Sequence, residues 1–369
     1  MTPALESLRR KAAAVVTLPA RRDHVAYLDG WRGVCIAFVL IGHLIPAVAP
    51  LATVGVEMFF VLSGRLMAEI LIFKRQPVRI FLKRRVARII PAAATFVVVT
   101  AAIMNATWWL AGRPLNWISP VGALFFFHNY IPPAAVAPAF DHMWSLAVEE
   151  HSYLALALIA LLTSRKSPRI AMAAAIGLSA VALLNGLRLS LVAQGDGPLY
   201  LWRSDVRAAS VLMSFAMCIA LRPLIERPSR SLAWLTPVGA LVGIAFVYRY
   251  GMSNVAGLAA GSLAGALAVN MLEQAPVAMR RHLSNAVLVW AGTLSFSLYL
   301  WQQLFFINWR FEPWGILCIF PAAALALWSF KRVEYPAREY LNRRWKEQPR
   351  SGAVETGGQP LFAGRARAA

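Results

Sequence analysis

Long apolar runs separated by short basic blocks dominate this sequence. An α-helix needs about 17 to 25 apolar residues to span a bilayer. Runs of that kind fall near 33–50, 55–73, 89–111, 145–163, 170–188, 207–221, 231–249, 254–272, 290–308 and 314–330. The pattern predicts an all-α, polytopic membrane protein with about ten transmembrane helices. The stretch 120–131, which carries Phe125, Phe126 and Phe127, reads as a further half-buried helix. There is no internal repeat.

The charges between the runs predict sidedness. Thirty of the 37 Lys and Arg residues lie in 1–32, 74–88, 164–169, 222–230, 273–282 and 331–369, all on one side of the predicted bundle. Arg113, Arg188, Arg203, Arg207, Arg249 and Arg310 lie on the other side, and Arg65 lies inside a run. An excess of basic residues marks the cytoplasmic side, so both termini are expected in the cytoplasm. Three parts follow: a basic segment at 1–26, a membrane domain at 27–340, and a Gly-, Ala- and Arg-rich tail at 341–369, expected to be disordered.

Composition narrows the class. At 59% hydrophobic, 15% charged and a mean hydropathy of +0.57, the chain is no disordered protein, disulfide scaffold or ordinary cytosolic globule. A net charge of +20 and a pI near 11.0 would suit a nucleic-acid binder. The basic residues sit between apolar runs, however, where topology and anionic lipid account for them. The lipid bilayer is the expected partner, not nucleic acid. Cys35, Cys218 and Cys318 lie in apolar segments without a CxxC or Cys/His cluster, so neither a metal nor a disulfide framework is expected. The first thirty residues lack an apolar leader core, and no cleavable leader is expected.

Ionisable groups inside hydrocarbon cost several kcal/mol and mark candidate sites. On the first run Arg32 and His43 are eleven residues apart, hence on one helix face and about 16 Å apart along the axis; Asp29 precedes them. The second run carries Glu57, Ser63 and Gly64. Arg85 and Arg88 share a face before Pro91 and suit a phosphate or pyrophosphate group. The fourth run brings Trp144, Ser145 and the adjacent carboxylates Glu149 and Glu150, which point about 100° apart so that one of them faces the bundle centre. Tyr299 and Gln302 form a polar stripe on a later run. Each has a structural alternative when taken singly: lipid-anchoring arginines, interfacial carboxylates, or hydrogen bonds between helices.

Taken together with the sidedness, they make a polarised path. Arg32, Arg85 and Arg88 gather at the inner face, while His43, Glu57 and Glu149/Glu150 lie toward the outer half. A histidine with a carboxylate neighbour removes a proton from a hydroxyl in acyl transfer. A phosphate-bearing carrier with a long thin arm, such as acyl-CoA, fits the arginines.

Five stretches then match a known family. "YLDGWRGVCIAFVLIGH", "GVEMFFVLSGRL", "RRVARIIP", "HMWSLAVEEHSYL" and "GTLSFSLYLWQQ" with a closing "RVEYPAR" resemble, in this order, the membrane acyltransferase-3 family, across about 25–340. Its members O-acetylate bacterial surface polysaccharides, O-antigen, Nod factors or macrolides. The resemblance implies an O-acyltransferase of the bacterial inner membrane that moves an acyl group, acetyl by default, from cytosolic acyl-CoA to a carbohydrate hydroxyl outside. It implies that His43 acts in catalysis with Arg32 on its face, that Arg85 and Arg88 contact the donor, and that Glu149 with Trp144 and Ser145 shapes the reaction centre. This sequence departs at Arg65, where an aromatic is usual, and at Glu57 for Asp, His151 for Gln and Gln302 for His. No fused esterase-like domain is expected after 340, so transfer is expected to finish in the membrane domain or with a separate protein. The competing readings are acylation of a macrolide or other small metabolite, a transporter or flippase using the same cavity, and a membrane scaffold.

Overall fold

The computed structural model describes residues 25–192, 197–227, 230–251, 253–309 and 315–345. Most of the basic segment at 1–26 and the tail beyond 345 lie outside the described residues. Among the described residues there are helices and no strand.

Each apolar run coincides with one helix: α1 (Ala26–Leu44), α2 (Pro50–Ala68), α3 (Val78–Leu110), α4 (Met143–Leu162), α5 (Pro168–Val192), α6 (Ser204–Ala220), α7 (Leu235–Tyr250), α8 (Val255–Asn270), α9 (Ala286–Trp309) and α10 (Gly315–Arg344). Four of them, α3, α4, α5 and α10, are long and apolar enough to cross a membrane unaided. A fifth joins them if Val277–Leu283, bent by 54° against Ala286–Ile307, counts with α9 as one span. α7 and α8 have 16 residues each, short of the roughly 20 that a span needs. Many apolar side chains face outward, including Val181, Leu184 and Leu191 on α5 and Leu241 on α7, a surface suited to lipid. The 120–131 stretch forms a seven-residue helix, Ile118–Leu124, followed by a 3-10 turn at His128–Tyr130.

Two features position the site. α3 has 33 residues and is therefore about 50 Å long, well beyond a hydrocarbon core of about 30 Å. Its basic first third extends past the apolar part, and that carries Arg85 and Arg88. The second feature is the close crossing of α1 and α9. A Cβ on Gly33 would lie 2.1 Å from the Leu288 carbonyl oxygen, and one on Gly292 would lie 1.8 Å from that of Asp29. Only glycine allows this approach, the small-residue packing that membrane helices favour. It sets Arg32 and His43 against the polar stripe of α9. Gly292→Ala is expected to destabilise the bundle by about 1 to 3 kcal/mol through overpacking, read as loss of the monodisperse peak in detergent gel filtration. Gly177→Ala, where a Cβ meets nothing within 4 Å, is expected to leave that peak unchanged.

Two π turns interrupt the helices, Glu69–Phe73 after α2 and Phe330–Glu334 within α10. Such turns often accompany functional sites. The second carries Glu334 into the interior, where it is 2% exposed.

Candidate active site

One cavity, enclosing about 760 Å³ of empty space with its open mouth, lies among α1, α2, α3, α4 and α9. Its polar lining comprises Arg32, Ser63, Arg85, Arg88, Ser145, Glu149, Tyr153, Ser295 and Tyr299; its walls are Phe59, Phe60, Leu66, Phe296 and other apolar side chains. Seven predicted site residues therefore meet around one space. They come from five helices, which periodicity along any single helix cannot show.

The arginines form one end. Arg32 makes a loose ion pair with Asp29 at 3.8 Å. Arg85 lies over the Tyr153 and Phe81 rings, 4.3 and 5.5 Å from their centroids, and its Nη2 donates to the Met67 sulfur at 3.6 Å. Arg88 lines the same cavity as Arg32, Arg85 and Tyr153 and lies within electrostatic reach of Glu334. Glu334 in turn accepts from Ser297 at 2.8 Å and lies 3.9 Å from Arg338. Three guanidiniums thus face one cavity, with Asp29 and Glu334 beside them, and clustered guanidiniums suit a phosphate group.

Hydroxyls and a carboxylate line the middle and the far end. Ser63 donates to Glu149 at 2.6 Å, and Tyr153, one helical turn from Glu149, donates to the same oxygen and to Ser63 at 3.1 Å. Ser145 and Tyr299 share a hydrogen bond of 2.5 Å, and Tyr299 donates to the His142 carbonyl at 2.7 Å. Glu150 does not line the cavity; its Oε1 is buried without a hydrogen-bond partner among the described residues. This matches the expected 100° divergence of the two carboxylates.

His43 sits on the last turn of α1, half-buried, with Nδ1 3.0 Å from Gln302 Oε1. Gln302 is three residues beyond Tyr299, a rise of about 4.5 Å, so His43 stands one turn past the cavity's Ser145/Tyr299 end. His43 touches the Gln302 amide, and Glu149, the carboxylate expected as its neighbour, bonds instead to Ser63 and Tyr153.

Glu57 and Trp144 belong to a neighbouring cluster. Glu57, expected toward the outer end of the polarised path, is 2% exposed and paired with Arg207 at 3.1 Å, and it accepts from Ser262 at 2.5 Å. Arg207, expected at the outer boundary of its run, is fully buried on α6. Its guanidinium lies 5.6 Å from the Trp144 ring centroid, and Trp144 stacks on Trp202 with 6° between the planes. Among the described residues, no group of three or more His, Cys, Asp or Glu side chains is placed to hold a metal.

The defining pattern of the acyltransferase domain matches residues 25–330, most of the chain and every helix that lines the cavity. The chain belongs to the acyltransferase-3 family.

Relatives in this family include the peptidoglycan O-acetyltransferase OatA of Listeria monocytogenes, 26% identical over 318 residues, covering 76% of this chain and 49% of the relative. The putative membrane-bound transacylase BcsY of Komagataeibacter xylinus is 26% identical over 345 residues, with 88% and 84% covered. The O-acetyltransferase OatA of Staphylococcus aureus is 26% identical over 356 residues, with 85% and 57% covered. The chain spans about half the length of the two OatA relatives. No solved structure matches it.

Within the family frame, two departures acquire a structural sense. Arg65 donates to the Val269 carbonyl and pairs with Glu273 at 2.5 Å. It ties α2 to α8 and is absent from the cavity lining. Gln302 occupies the position facing His43. Sequence reasoning assigned no role to Tyr153 or Glu334. The i+4 spacing of Tyr153 from Glu149 was a usable signal for the first; Glu334 is buried by its π turn, which no sequence period announces.

Proposed function

We propose that this protein is an integral membrane O-acyltransferase of the bacterial inner membrane. It moves an acyl group, acetyl by default, from cytosolic acyl-CoA to a hydroxyl of a carbohydrate on the other side. In this reading ten helices cross the bilayer and both termini are cytoplasmic, which the thirty-to-six division of basic residues supports. The observation that carries the reading is a cavity with Arg32, Arg85 and Arg88 at one end, Ser145 and Tyr299 at the other, and His43 one turn beyond.

The arginines hold the donor's phosphates, and its thin arm lies along the apolar walls. His43 takes the acceptor's hydroxyl proton while the hydroxyl oxygen attacks the thioester carbonyl carbon. The C–S bond breaks, the proton passes to the thiolate, and the products are an ester and the free thiol of CoA. Glu149, held by Ser63 and Tyr153, lies beside the path and orients the hydroxyls around it. The relatives' names support a carbohydrate acceptor, since two OatA proteins are O-acetyltransferases and one of these is named for peptidoglycan.

The test is purified protein with acetyl-CoA and candidate glycans. Release of CoA thiol that depends on acceptor, with an acetylated glycan seen by mass spectrometry, is the expected result. Passage of glycan without covalent change would favour a transporter and overturn the reading. The donor assignment makes a narrower prediction. Arg88→Ala is expected to raise the KM for acetyl-CoA about tenfold, since a hydrogen bond to a charged group is worth roughly 1.5 to 3 kcal/mol. An unchanged KM would remove Arg88 from the donor site.

A further inference from the structure

The contact between α1 and α9 at His43 fixes which ring nitrogen is basic. His43 Nδ1 lies 3.0 Å from Gln302 Oε1. An amide oxygen only accepts hydrogen bonds, so Nδ1 carries the proton and the lone pair is on Nε2. Gln302 is well placed to enforce this. It is fully buried, and its neighbour Trp301 packs edge-on against Phe96, 5.4 Å between centroids. The backbone beneath it belongs to the helix locked against α1 at Gly33 and Gly292. The amide's own Nε2 is buried without a hydrogen-bond partner among the described residues.

We propose that Gln302 is a positioning residue that holds His43 in the Nδ1–H form, so that Nε2 acts as the base toward the acceptor hydroxyl. The proposal rests on the reading of His43 as that base. The proton that Nε2 takes from the hydroxyl then passes to the leaving thiolate.

The test compares Gln302→Met, Gln302→Glu, His43→Ala and the double variant His43→Ala/Gln302→Met, each as full-length protein in detergent. Met keeps the shape of Gln and removes the acceptor; Glu keeps the acceptor. Gln302→Met is expected to lower kcat about 10- to 100-fold through lost orientation, with the KM for acetyl-CoA and the gel-filtration profile unchanged. Gln302→Glu is expected to stay within a few-fold of the parent. The double variant is expected to be no worse than His43→Ala alone, the signature of two residues acting as a unit. A parental kcat in Gln302→Met beside an inactive His43→Ala overturns this inference and leaves the base assignment standing. Full activity in His43→Ala overturns the base assignment and this inference with it. A loss in Gln302→Met that tracks loss of folded protein assigns Gln302 to packing alone and overturns the proposal.

Discussion

Replacing His43 with alanine is expected to lower acyl transfer by about 10²- to 10⁴-fold, the usual contribution of a positioned general base. The protein should still accumulate and purify normally. His43 is half-buried at the end of α1 and contributes a side-chain hydrogen bond to Gln302, and losing such a bond costs about 1 kcal/mol. A small stability effect beside a large rate effect separates chemistry from folding. The measurement is acetyl-CoA-dependent acetylation of a glycan in membrane vesicles, normalised to the amount of protein. Activity within a few-fold of the parent would remove His43 from the reaction and overturn its assignment as the base.

The cavity makes the sequence's logic visible and also its reach. The ten apolar runs each form a helix, which satisfies the backbone polar groups within the segment. Arg32, Arg85, Arg88, Ser63, Ser145, Glu149 and Tyr299, all singled out along the chain, converge on one cavity from five helices. The pairing of side chains across helices lay beyond what periodicity encodes. Gln302 and His43 are 259 residues apart, and spacing along either helix says nothing about their contact. The same holds for Glu57 and Arg207. Read along the chain, the first is an isolated carboxylate and the second a boundary arginine; in the fold they neutralise each other.

That pair carries the largest expected effect on stability. Glu57 and Arg207 are 3% and 0% exposed at the side chain and 3.1 Å apart. Arg207 also donates to the Gly251 carbonyl at 3.0 Å, so one guanidinium joins α2, α6 and the end of α7. Removing one member of a buried pair strands a charge in low dielectric, at a cost of about 3 to 5 kcal/mol. Arg207→Met is therefore expected to abolish most folded protein. Glu57→Gln is expected to do nearly the same, because the guanidinium is then left without its counter-charge. The double variant Glu57→Gln/Arg207→Met removes both charges and is expected to recover much of the loss, since replacing a buried pair by neutral groups is often close to neutral. Thermal unfolding of the four proteins in detergent gives the coupling energy directly. Recovery of folded protein with normal acyl transfer in the double variant would confine the pair to holding the helices. Recovery of folding without activity would mean that the Arg207 charge reaches the cavity through Trp144, which is stacked on Trp202 and packs at 6.1 Å against Phe60 of the cavity wall.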